Sequence, residues 1–421
     1  MYQKDKNWKL FISYLSIIGN TIRCTKDGNI QMNFDEVINR KNTHSVKWDM
    51  IEEMYGVSQK NGIPMWVADM DFRPPNCVSN AILKMHEHGI YGYFGDNTEY
   101  LNSIVWWMKN RHQWEIEKSW IFDVHGLVNG TSMTVQTYSN PGDRVILFTP
   151  VYYVFFKQII QGGRQVLECP LKNNKGRYEF DFDYYDTLMD GTEKVIVLSS
   201  PHNPGGRVWT KDELKDLAAF AERHDLIIVS DEIHNDLIMP GNKHIPMAIA
   251  VPEIINRLVM MTATTKTFNI AGMHTGNVII PDSELRSEFS KTMMAYGITP
   301  NSFGKHMVTA AYTQEGADWV DSLMIYLAEN QRLFNKEIAK IPGIKPMTLE
   351  GTYLSWVDFT NTGMSTNEFT NRVEKNAQIV ANHGHTFGTG GEYFLRFNIA
   401  TRRSLVLEAL DRLTDAFSDL Q

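Results

Sequence analysis

Arg257-Leu-Val-Met-Met-Thr-Ala-Thr-Thr-Lys266-Thr-Phe-Asn-Ile-Ala-Gly272 is the stretch on which the reading of this chain turns. Leu258 to Met261 is an apolar run of the kind that forms a buried strand. The run then breaks into small hydroxyl residues around one lysine, with Asn269 and Gly272 behind it. A lysine just past a buried strand is costly to desolvate unless something there needs an amine. Such a lysine has a lowered pKa and acts as a nucleophile, often as a Schiff base. The plain alternative is a lysine on a solvated loop. The choice depends on whether the rest of the chain supplies a partner for the amine.

With 421 residues the chain is too long for one simple core, and two domains are expected. Hydrophobic residues at 43% and charged residues at 21% are those of an ordinary globular protein. Lys plus Arg at 41 against Asp plus Glu at 49 gives a net charge of -8, which argues against nucleic acid or an anionic membrane as partner. Cys24, Cys77 and Cys169 are scattered and odd in number, so they give neither a disulfide framework nor a zinc spacing. A cytoplasmic location follows as the expectation. Leu10 to Ile18 follows three lysines in the manner of a signal peptide, but it contains Ser and Tyr and lacks a small-x-small cleavage site. Residues 1–32 are expected to be a loose N-terminal extension.

Outward from the opening stretch, strands and helices alternate. Arg144 to Phe148, Arg164 to Cys169, Lys194 to Ser200, Leu226 to Ser230 and Thr275 to Ile280 read as strands. Thr210 with Glu213 signs the start of a helix between two of them. This spacing predicts an α/β fold, a mostly parallel sheet sandwiched by helices, over a large domain at 75–300. Segments 33–74 and 301–421 are expected to form a smaller α+β domain, with a long helix from Ala317 to Ile341 and a further helix from Asn367 to Asn376. Trp106, Trp107 and Trp114 read as core residues of a helical segment.

In parallel sheets ligands sit at the carboxyl ends of the strands. Asn203, Asp231 and Lys266 each lie just past a predicted strand end. An aldehyde cofactor with a pyridine ring and a phosphate would need an amine, a buried carboxylate for the ring nitrogen, a donor to the ring oxygen and N–H groups for the phosphate. Asp231 suits the carboxylate, Asn203 and His234 the ring oxygen, and Tyr152 could stack on the ring. Gly130-Thr131-Ser132, read as a helix start, suits the phosphate, as do Thr264 and Thr265. Each has a structural alternative: Asp231 as a helix cap, Asn203 as a turn former, His234 and Tyr152 as packed core.

The order Asn203-Pro-x-Gly206, Asp231-Glu-Ile-His234, Lys266-Thr-Phe-Asn269 and Arg396-Phe-Asn398 resembles the fold-type I pyridoxal phosphate enzymes of the class I/II aminotransferase superfamily. Trp66-Val-Ala-Asp-Met-Asp-Phe72, Ser200-Pro-His-Asn-Pro-Gly-Gly-Arg-Val-Trp209 and His234 are similar to the cystathionine β-lyase branch, the MalY/PatB type of C–S lyase. The resemblance implies Lys266 as Schiff base and proton shuttle, Asp231 on the pyridine nitrogen, and Arg396 as a clamp on the substrate carboxylate. It also implies a homodimer, in which Tyr93 reaches the phosphate of the neighbouring subunit. Two departures stand out. Ala263 occupies the place of a phosphate-binding Ser in several relatives, and His274 that of a phosphate Arg in aspartate aminotransferase-like enzymes.

The expected reaction is β-elimination at the C–S bond of a sulfur amino acid, such as cystathionine, to give a thiol, pyruvate and ammonia. An aminotransferase on the same scaffold is the main rival, and a non-catalytic pyridoxal phosphate-binding regulator is the other.

Overall fold

The computed structural model describes residues 23–24 and 30–420, so the expected extension at 1–32 lies almost wholly outside the described residues. A seven-stranded sheet forms the middle of the molecule. Its strands are β1 (Ile121–Val124), β2 (Arg144–Thr149), β3 (Gln165–Pro170), β4 (Glu193–Ser199), β5 (Ile227–Asp231), β6 (Leu258–Thr262) and β7 (Gly276–Ile279). They lie in the order β1-β7-β6-β5-β4-β2-β3. The near-continuous apolar runs of β4, β5 and β6 are those of strands covered on both faces. In register, Asp231 at the end of β5 sits between Ser199 of β4 and Met261 of β6. Three consecutive strand ends therefore open at one level.

The sheet is parallel except for β7, which runs against both β6 and β1. The cause is local. Between β6 and β7 the chain makes only the short helix Thr264–Thr267 and the 3-10 turn Ala271–Met273, too little for a crossover. The same shortness keeps Lys266 at the carboxyl end of β6 instead of carrying it away on a long helix.

Helix ends follow their caps. Thr210 and Glu213 form a reciprocal capping box at the start of helix Lys211–Arg223. Thr313 caps the long helix Gln314–Ile338, which starts and stops three residues before the expected range. The expected helix at 367–376 divides into an α-helix, Thr366–Asn371, and a wider π turn, Arg372–Asn376. Trp107 is buried within helix Thr98–His112, whereas Trp114 is buried just beyond it, because Gln113 at φ 58 ends the helix.

The C-terminal part carries a second sheet, β8 (Lys345–Pro346), β9 (Leu354–Asp358), β10 (Asn382–His383) and β11 (Phe394–Asn398), in the order β8-β9-β11-β10. The segment from Ile63 to Phe72 bridges the two sheets. Ile63 and Pro64 pair with Ile379 and Val380, and Asn398 N–H donates to the Met65 carbonyl (2.7 Å). Lys47, fully buried, and Arg40 hold Asp71 at 3.0 and 2.8 Å.

From the large sheet the same segment is held by Asn269. Its side-chain oxygen accepts from Met70 N–H (2.9 Å), and its amide donates to the carbonyls of Met70 (2.9 Å) and Phe72 (2.8 Å). Asn269 has φ 56, a left-handed conformation that asparagine tolerates better than most residues. Asn269→Ala loses three hydrogen bonds and adds backbone strain, for an expected cost of about 2–5 kcal/mol. Asn269→Gly recovers only the backbone part, about 1–2 kcal/mol. Urea unfolding of the three proteins measures both, and equal stability of Gly and Asn at 269 would remove the latch.

Candidate active site

A cavity of about 470 Å³ opens at the carboxyl ends of β4, β5 and β6. Asn203, Asp231, His234, Thr265 and Lys266 line it, with the Tyr152 ring on another wall. The first three follow strands rich in apolar residues, whose register fixes how far each loop starts from its neighbour.

Lys266 keeps part of its surface open to the cavity while protein encloses it. Its Nζ donates to the Ala68 carbonyl (2.8 Å), which also accepts from the Tyr353 hydroxyl (3.0 Å). Burial lowers the amine pKa from 10.5 to about 8; Asp69 and Asp231 oppose that shift and Arg396 adds to it. Behind the lysine, Thr267 donates to the fully buried Asp236 (2.9 Å). The same carboxylate holds Trp107 Nε1 (3.1 Å) and His112 Nε2 (2.9 Å). The lysine turn is thus fixed from its far side.

The two adjacent acids of the Asp231-Glu232 pair are treated differently. Glu232 is satisfied by His244 (2.7 Å), Ser230 (3.0 Å) and the Met247 N–H (2.9 Å). Asp231 accepts from the Ile233 N–H (3.1 Å) and faces the cavity, and burial raises its pKa to about 7. A carboxylate so desolvated is a strong ligand for a cation. His234, 2% exposed, has an Nδ1 with no partner, and burial holds its pKa well below the usual imidazole value.

Arg396, in β11, is 2% exposed and reaches the cavity through Asn203, donating from Nη1 to the Asn203 side-chain oxygen (2.8 Å). Nη2 donates to the Trp66 carbonyl (3.0 Å) and to Asn382, while Nε is buried without a partner. Burial lowers its pKa, and the surrounding tyrosines Tyr153, Tyr152, Tyr353 and Tyr55 oppose the shift. Tyr353 and Asn382 come from distant segments, and no local pattern marks them; Ala68, within the Trp66–Phe72 motif, and Asp236, two residues past His234, carry no residue signal of their own for these contacts.

The expected helix start at Gly130-Thr131-Ser132 needs correction. The helix begins at Gly126 and runs to Tyr138. Gly130 packs against Val124 and Val278, and Thr131 is fully buried beside Met261. Neither lines the cavity; Ser132 does. The free N–H groups belong instead to the first turn, Gly126 to Asn129, and those residues line the cavity. Thr264 is buried with an unpartnered hydroxyl, but Thr265 is the one of the two on the wall. Ala263 is buried too, and His274 lines the cavity. Tyr93 lies fully exposed on the loop after helix Asn76–His88 and does not line the cavity of its own chain.

An enclosed amine, a desolvated carboxylate, an unpartnered imidazole nitrogen, an aromatic wall and a helix start with free N–H groups fit pyridoxal 5'-phosphate. The family model for aminotransferase class I and II matches residues 61–413. Cystathionine beta-lyase PatB of Bacillus subtilis is 36% identical over 92% of this chain and 100% of its own length. The structure of cystalysin from Treponema denticola, which contains a pyridoxal 5'-phosphate cofactor, superposes with a TM-score of 0.88 at 37% identity, over 92% of this chain and 99% of that one. A pyridoxal phosphate-bound C-S lyase from Staphylococcus hominis superposes at 0.85 with 30% identity, over 92% and 98%. Sequence, sheet order and cavity agree, and the chain belongs to the class I and II aminotransferase family of pyridoxal phosphate-dependent enzymes.

Proposed function

We propose that this protein is a pyridoxal phosphate-dependent carbon–sulfur lyase. It acts on cystathionine or another cysteine S-conjugate and, with one water, yields a thiol, pyruvate and ammonia. The Lys266 amine in one cavity with the desolvated Asp231 supports the cofactor, and the observation that favours the lyase is the 36% identity to cystathionine beta-lyase PatB over its whole length. Bound pyridoxal phosphate supplies an aldehyde for amines and a protonated ring that draws electrons from Cα. Lys266 holds the cofactor at rest and then moves the Cα proton with its neutral amine. Asp231 keeps the ring nitrogen protonated, since an ion pair there favours both charged forms. Asn203 and His234 would serve the ring oxygen, and Tyr152 would cover the ring, since all three line the cavity. Arg396 takes the substrate carboxylate bidentately. Thr265, Ser132 and the helix start bind the phosphate, with Thr264 bracing them from behind.

The chain divides most naturally into 75–300, which carries the cofactor, and 33–74 with 301–421. The pairing of Ile63–Pro64 with Ile379–Val380 supports joining the two outer segments. We further propose a homodimer with a shared site. Ile90, Tyr91 and Tyr93 are 74%, 56% and 108% exposed on one loop, an apolar run suited to cover by a second copy. Tyr93 would then serve the partner's phosphate. No described helix is long and apolar enough to cross a membrane. A reducing cytoplasm suits an enzyme that releases thiols and in which Cys77 and Cys169 are both free.

With cystathionine and no keto acid, the protein should release pyruvate and thiol in equal amounts. Amine transfer that requires 2-oxoglutarate would instead establish the aminotransferase, and no reaction with either would leave a cofactor-binding regulator. Lys266→Ala should lower the rate by about 10²- to 10⁴-fold or more and remove the covalent attachment of the cofactor, read by mass after borohydride reduction.

In protein stripped of cofactor, the low pKa of Lys266 means that the amine loses its charge as the pH rises through about 8, not 10.5. Its labelling by an amine-directed reagent should rise with that midpoint; a midpoint at or above 10 would contradict a desolvated amine. For the shared site, mixing Lys266→Ala with Tyr93→Ala protein should restore activity that neither has alone, because one site in each mixed dimer is whole. No recovery after subunit exchange would place Tyr93 outside the partner's site.

A further inference from the structure

His125 and His274 stack face to face on the cavity wall, with ring centroids 5.0 Å apart and planes 2° from parallel. His125 stands immediately before helix Gly126–Tyr138, and His274 closes the turn that follows Lys266. His274 has φ 46, a left-handed conformation uncommon outside glycine and often found at functional sites. Gly126, which follows His125, has φ 76, a left-handed conformation that favours glycine, and lies against the His274 backbone.

The cavity has a charge problem at this end. Among the described residues its wall contains no arginine, Arg396 reaches it only through Asn203, and its one lysine is Lys266. That amine is committed to chemistry at the other functional group of the cofactor. A phosphate dianion then has the hydroxyls of Ser132 and Thr265, the N–H groups of the helix start and the two imidazoles as its donors, and of these only the imidazoles can carry a full positive charge. An imidazole offers one N–H when neutral and two when protonated. The unpartnered Nδ1 of the buried His234 in the same cavity independently points to a ligand there.

We propose that His274, braced by the stacked His125, grips the cofactor phosphate. This rests on the cofactor reading above and adds the residues that complete it. It concerns affinity for the phosphate group, and not the proton chemistry of Lys266.

The test is the dissociation constant of the cofactor-stripped protein for pyridoxal 5'-phosphate and for pyridoxal, which lacks the phosphate, measured by calorimetry. His274→Ala should weaken pyridoxal phosphate by about 10- to 100-fold and change pyridoxal by less than about 3-fold. His125→Ala should act in the same direction with a smaller effect, and His274→Arg should bind pyridoxal phosphate at least as tightly as the native chain. Equal losses for both compounds would assign the pair a structural role and overturn the proposal, as would an unchanged affinity for pyridoxal phosphate in both alanine variants. If one variant fails to fold, the other decides. Failure of the unsubstituted protein to bind either compound would overturn the cofactor reading itself.

Discussion

Everything at this site depends on the in-register parallel pairing of β4, β5 and β6. Backbone hydrogen bonds bring Ser199, Asp231 and Met261 to one level, so the loops that follow start side by side. No side-chain contact among Asn203, Asp231 and Lys266 is needed to collect them. A slip of one residue would turn every side chain of a strand to the opposite face, and the buried apolar runs forbid it. The core that stabilises the sheet thus also sets the spacing of the polar groups.

Desolvation then gives those groups their character, in opposite senses. Burial drives Asp231 up to about 7 and Lys266 down to about 8, so each is nearer to neutral than it would be in water. A cationic ring bound against Asp231 would reverse the first shift, because each charge would favour the other. The neighbouring Glu232 shows the contrast: with three donors it is a structural acid, and Asp231, with one backbone donor, keeps capacity for a ligand.

Much of the fold was legible because strands covered on both faces leave continuous apolar runs, as Leu258 to Met261 does. The strand-end positions of Asn203, Asp231 and Lys266 followed from those runs. The reversal of β7 was harder to read, since it depends on how little helix lies between Thr262 and Gly276. Gly130-Thr131-Ser132 misled for a physical reason. Small residues mark a helix start only when the N–H groups there are free, and Gly130 is small because Val124 and Val278 press on it. The real start follows His125, a residue without capping preference. Contacts made by Ala68 and Tyr353 carry no sequence signal, because a backbone carbonyl has none and a buried tyrosine looks like core.

The double fastening of the lysine turn bears on how such a site could be moved. Thr267 ties it to Asp236 on one side, and Asn269 ties it to Met70 and Phe72 on the other. The amine rests on Ala68, a carbonyl of the second anchored segment. The turn is therefore not a portable module. Grafting residues 257–272 onto another sheet would transfer the lysine but neither of its moorings. The unit that could be transplanted is discontinuous: the turn, the bridge from Ile63 to Phe72, and the acid behind them.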